Sequence, residues 1–109
     1  MAGLTENESE ILAKLKKQYG DDMVGCLRCH GHFVVYRGCT LPERTRATQT
    51  AEKSDKATAN EQLSRSCTVY PETVEERAQL FDRYPFLLEN VSQKVQKISG
   101  GDIEDLGND

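Results

Sequence analysis

The chain has 109 residues, enough for one small domain; 37% are hydrophobic, 29% are charged, and there is no Trp, so the core it can bury is thin. The formal net charge of -4 argues against nucleic acid, whose binding rests on neutralising phosphates. No apolar run approaches the roughly 20 residues needed to cross a bilayer, and the first eighteen residues lack the uninterrupted apolar stretch of a signal peptide. These features predict a protein kept in the cytoplasm, where cysteines remain free thiols or metal ligands in preference to disulfides.

Thr5 followed by Glu8 forms a capping box. Ile11, Leu12, Leu15 and Tyr19 follow at helical spacing before Gly20, which predicts a short amphipathic helix. After Asp21-Asp22, the stretches "MVGCLRCH" and "FVVYRGC" read as two strands of a β-hairpin over about residues 23–39, with Gly31 supplying the positive φ of a tight turn. A two-residue turn puts Cys26 and Arg28 on one face and Leu27 and Cys29 on the other.

Thr40 and Glu43 form a second capping box, with Pro42 in the first helical turn. The continuation is polar and rich in Thr, so residues 47–60 are expected to be a loosely held, mobile helix or one broken near Ser54-Asp55. Ala59, Leu63 and Cys67 restore one-sided spacing up to Tyr70-Pro71. Thr73 and Glu76 open a further helix bearing Val74, Leu80 and Phe81, and Pro85 separates it from the last one. There Tyr84, Leu88, Val91, Val95 and Ile98 step by four, three, four and three, the cleanest apolar stripe in the chain. Gly100-Gly101 ends it. Residues 1–101 thus read as one domain and 102–109 as a flexible acidic tail whose apolar side chains are Ile103 and Leu106. The fold class expected is α+β, mostly helical, with one hairpin packed on three to five helices.

The chemistry-bearing residues concentrate in "GCLRCHGHF". Cys26-Leu27-Arg28-Cys29-His30 matches the attachment pattern of c-type haem, but that attachment follows export and no export signal is present. Zinc is the stronger alternative, with Cys26 and Cys29 as one half of a site and His30, His32, Cys39 or Cys67 as candidates for the other. Against it, Cys39 and Cys67 lie 28 positions apart and no second paired motif follows. The favoured reading has no metal or other cofactor and treats the cysteines as small core hydrophobes. Cys29 beside His30 is no catalytic dyad, because neighbours on a strand point apart. Glu75-Glu76 and the tail acids lie at a helix start and at the chain end, and there is no Gly-rich phosphate loop. No enzymatic activity is expected.

From about Phe33 to Gly101 the arrangement resembles the tail-assembly chaperones of long-tailed bacteriophages and prophages. The residues that carry the resemblance are "HFVVYRGCTLPERTR", the polar helix ending "LSRSCTVYPE", and "LFDRYPFLLENVSQKVQKISGG". The resemblance implies a soluble, non-enzymatic protein of the bacterial host cytoplasm that binds the tape-measure protein and assists tail-tube assembly. The Cys-His stretch and Gly38-Cys39 depart from the pattern, which keeps the zinc-stabilised binding module, a viral regulator of a host protein, as the alternative. The residues expected to contact a protein partner are the basic set Arg37, Arg44 and Arg46 and the stripe Tyr84, Leu88, Val91, Val95 and Ile98, a stripe whose other role would be core.

Overall fold

The computed structural model describes residues 3–107. Five helices and a three-stranded antiparallel sheet make a mostly helical α+β fold. Helix α1 (Glu6–Tyr19) starts at a complete Thr5–Glu8 capping box and ends at Gly20, whose φ of 108° suits a residue without a Cβ. Strands β1 (Val24–Cys29) and β2 (His32–Arg37) pair along their whole length, Val24 opposite Arg37 and Cys29 opposite His32. The two-residue turn between them has φ of 49° at His30 and 83° at Gly31. Positive φ at both central positions is the turn whose twist matches that of the flanking strands.

Helix α2 (Leu41–Lys53) follows the Thr40–Glu43 capping box. It stops at Ser54, and Asp55 caps helix α3 (Lys56–Cys67) by accepting the Thr58 amide at 2.6 Å. Residues 47–60 are therefore helical on both sides of one break, and the two helices are joined by a 2.9 Å hydrogen bond from the Thr50 hydroxyl to Gln62 Oε1. The apolar spacing through Ala59, Leu63 and Cys67 suggested a helix continuing to Tyr70-Pro71. Instead α3 ends at Cys67, and Thr68–Tyr70 form β3 on the outer side of β2. The β-branched Thr68 and Val69 are at home in a strand.

Helix α4 (Val74–Arg83) is capped by the Thr73 hydroxyl, and α5 (Phe86–Gln96) runs into a wider turn, Lys97–Gly101, closed by Gly100 at φ 104°. Of the apolar residues of α4, Leu80 and Phe81 are buried and Val74 is 67% exposed. The Ser99 hydroxyl donates to the Val95 carbonyl at 2.6 Å and accepts the Cys39 amide at 2.9 Å, tying the end of α5 to the exit of the hairpin.

Strand alternation divides the core into two layers. Val24, Phe33 and Val35 face α1, whose Ile11, Leu12 and Leu15 pack on them beside Cys26 of β1. Val34 and Tyr36 face Leu63, Cys67, Leu80, Phe81, Leu87, Val91 and Val95 on the other side. The sheet is thus covered on both faces, by α1 alone on one and by α3, α4 and α5 on the other. The Tyr36 ring lies over Gly25, its partner across the pair, where any Cβ would strike it. Residues 102–107 of the tail extend from the domain with Ile103 and Leu106 exposed; its last two residues lie outside the described ones.

Candidate protein-binding surface

The expected contact residues fall into two groups, one committed to the interior and one free. Arg37 leaves the end of β2 and meets Glu43 at two points, Nη1 to Oε1 and Nη2 to Oε2, each 2.9 Å. The same guanidinium donates to the Gly38 and Ser66 carbonyls at 3.0 Å and lies 5.7 Å from the centre of the Tyr19 ring. Glu43 accepts the Thr40 amide at 2.9 Å, so one carboxylate completes a helix cap and an ion pair together. The Arg37 hydrogen bonds hold the Glu43 carboxyl down at about 2, against the opposing effect of burial. Arg37 is therefore a brace joining β2, α2 and α3.

The apolar stripe divides in the same way. Val91 and Val95 are wholly buried and Ile98 packs at the edge of the core. Val91 and Val95 therefore cannot touch a partner of the folded domain, a correction whose cause is that α5 covers the sheet with this face. Tyr84 is held by the hairpin turn: its ring stacks on His30 at 4.5 Å with 7° between the planes, His32 approaches at 5.9 Å, and Arg83 Nε donates to its hydroxyl at 3.2 Å. Leu88 is half-buried and also lines a surface groove.

That groove, about 560 Å³, lies between α3 and α5. Ala57, Pro85, Phe86 and Leu88 supply its apolar lining, and Lys56 and Glu89 bring charges of both signs. Phe86 is 79% exposed, an uncommon state for a large aromatic side chain. A second groove of about 450 Å³, lined by Arg44, Ala47, Ala51 and Leu63, shares Lys56, Asn60 and Gln96 with the first, so the two run together across α2, α3 and α5. Arg44 stands at one end of this surface and Phe86 at the other. Arg46 is exposed on α2 beside Gln62 and Ser66 of α3, and among the described residues neither Arg44 nor Arg46 forms an ion pair. Phe86 escapes a reading of the sequence because it lies two positions from Leu88, out of phase with the apolar stripe. Being large, apolar and out of phase was the signal that could have found it.

The cysteines do not converge. Cys26 packs in the α1 layer, whereas Cys29, Cys39 and Cys67 border or belong to the opposite layer. His30 and His32 are exposed at the turn, engaged with Tyr84. Among the described residues no three His, Cys, Asp or Glu side chains gather closely enough to hold a metal ion. Burial, reinforced by Glu43, pushes the Cys67 thiol up to about 12.

The fold and surface define a small mostly helical α+β domain with a mixed apolar and charged groove. No family model matches the chain, and no curated protein matches it. Among solved structures it is similar to an uncharacterised protein, rbstp2171, from Bacillus stearothermophilus, with a TM-score of 0.68 and 26% identity over 88% of this chain and 98% of that one. The arrangement of strands and helices is thus shared over nearly all of both chains. Among the described residues no helix is long and apolar enough to cross a membrane.

Proposed function

We propose that this protein is a non-enzymatic tail-assembly chaperone of a long-tailed phage or prophage, working in the bacterial cytoplasm by holding a helical segment of the tape-measure protein. The observation that carries the reading is the groove across α2, α3 and α5, with Phe86 exposed at one end and Arg44 unpaired at the other. An amphipathic helix presents an apolar stripe flanked by charges, which is the pattern complementary to this lining. Helix α3 has 12 residues, a length of about 18 Å at 1.5 Å per residue, so the groove accommodates about three turns of such a segment. Arg44 and Arg46 favour a client whose polar face carries acids.

Co-expression with the tape-measure protein tests the reading. The wild-type chain should co-purify with it, whereas Phe86→Asp and the pair Arg44→Glu with Arg46→Glu should each release it with an unchanged circular dichroism spectrum. Undiminished co-purification of both variants would remove this groove from the interface.

A further inference from the structure

The two edges of the sheet are protected very differently. At the β3 edge the strand is three residues long, its pairing with β2 is irregular between Val35 and Tyr36, and Pro71 follows directly. Shortness, irregularity and proline are all devices that prevent a further strand from adding. The β1 edge has none of them. It is six residues long, in uninterrupted register with β2, and free of proline. Its one charged side chain, Arg28, is drawn back onto Glu8 of α1.

The hydrogen-bond phase of the hairpin identifies which groups of β1 are free. The Gly38 amide donates to the Met23 carbonyl at 2.8 Å, which fixes Met23 as bonded to the opposite strand. Because bonded and non-bonded pairs alternate, Gly25, Leu27 and Cys29 also turn their backbone groups toward β2. Val24, Cys26 and Arg28 turn theirs outward, and among the described residues no protein group satisfies them. This is a regular row of donors and acceptors at strand spacing.

We propose that the β1 edge is the interface of a twofold homodimer, in which β1 pairs antiparallel with β1 of a second copy and the two three-stranded sheets become one. Only one register uses all the free groups: Cys26 faces Cys26 of the other copy and Val24 faces Arg28. Each Arg28 then lies across from an apolar residue and away from its equivalent. The helix above the edge is compatible with the same axis. Glu8, Leu12 and Lys16 step by four along one row of α1, and Glu8 and Lys16 both act electrostatically on the Cys26 thiol below them. The tight connection through Gly20 and Met23 makes α1 run antiparallel to β1, with Glu8 at the Arg28 end. A twofold axis through Cys26 therefore sets Glu8 of one copy against Lys16 of the other, with Leu12 meeting Leu12 between them. Opposite charges meet across the axis, which is the complementarity a self-pairing surface needs.

Light scattering combined with amide exchange on the full chain tests this. At about 100 μM the mass should be twice the 12.2 kDa of the chain, and the amides of Val24, Cys26 and Arg28 should be protected and lose that protection at least tenfold on dilution to monomer. The amides of Gly25, Leu27 and Cys29 should stay protected throughout. Lys16→Glu, which sets Glu against Glu8, should shift dissociation to at least tenfold higher concentration without altering the monomer's circular dichroism. A monomer at every concentration would overturn the proposal, as would a dimer in which Val24, Cys26 and Arg28 exchange freely. Protection of these amides only when a tape-measure segment is added would assign the edge to the client instead, and would likewise overturn it.

Discussion

Arg37 and Glu43 join β2 to α2 through one two-point ion pair, with both N–O distances at 2.9 Å. Glu43 is the third helical residue of α2 and completes its cap, while Arg37 also reaches the Ser66 carbonyl near the end of α3. The pair is thus the fastening between the hairpin and the helical layer that carries the groove.

Removing one partner of such a pair strands the other. Glu43→Gln should lower unfolding free energy by about 1–3 kcal/mol, the range for losing a charge-assisted hydrogen bond and leaving its partner unpaired. The pH dependence has a definite sign. The folded carboxyl titrates at about 2 and the unfolded one near 4.5, so the stabilisation is complete above pH 4.5 and is lost as pH falls through about 2. Urea titrations between pH 7 and pH 2 should show this loss in the wild type and a smaller one in Glu43→Gln.

Helix α5 offers paired substitutions of opposite sign. Val95→Ala removes wholly buried methyl groups and should cost about 1–3 kcal/mol. Ser92 is equally buried, but its hydroxyl has no hydrogen-bond partner among the described residues. Ser92→Ala should therefore be neutral or stabilising by up to about 1 kcal/mol, since it removes a desolvated polar group at little loss of volume. Chemical denaturation of both variants distinguishes these outcomes directly.

Most of the architecture was legible in the sequence because it is written in local chemistry. The capping boxes at Thr5 and Thr40 and the His30-Gly31 turn depend on residues a few positions apart, and each forms in the structure. Strand β3 was hidden because three residues carry too little periodicity to be separated from the helix before them, and its strand state depends on pairing with β2, far away in sequence. The surface was harder to read. A sequence shows the charge of Arg37 but not that Glu43 and the Ser66 carbonyl surround it, and an apolar stripe gives the same pattern whether it faces a core or a partner. Which of the two it faces is decided by tertiary packing alone.

The cysteines should behave as separate thiols. Cys67 is wholly buried and its thiol is pushed up to about 12, so in the native protein it should react with alkylating reagents far more slowly than it does after denaturation. Because Cys26 and Cys29 lie in opposite layers of the core, EDTA should leave the melting temperature unchanged. Stoichiometric zinc in protein purified without chelator, together with unfolding by EDTA, would restore the zinc-stabilised module.

Under the proposed function a helical client lies in the groove across α2, α3 and α5. Backbone amide shifts recorded while a tape-measure segment is titrated in would locate it. The expected result is a set of saturable shifts at Arg44, Ala57, Phe86 and Leu88, abolished by Phe86→Asp. Saturable binding whose shifts avoid these residues, or persist in Phe86→Asp, would contradict it.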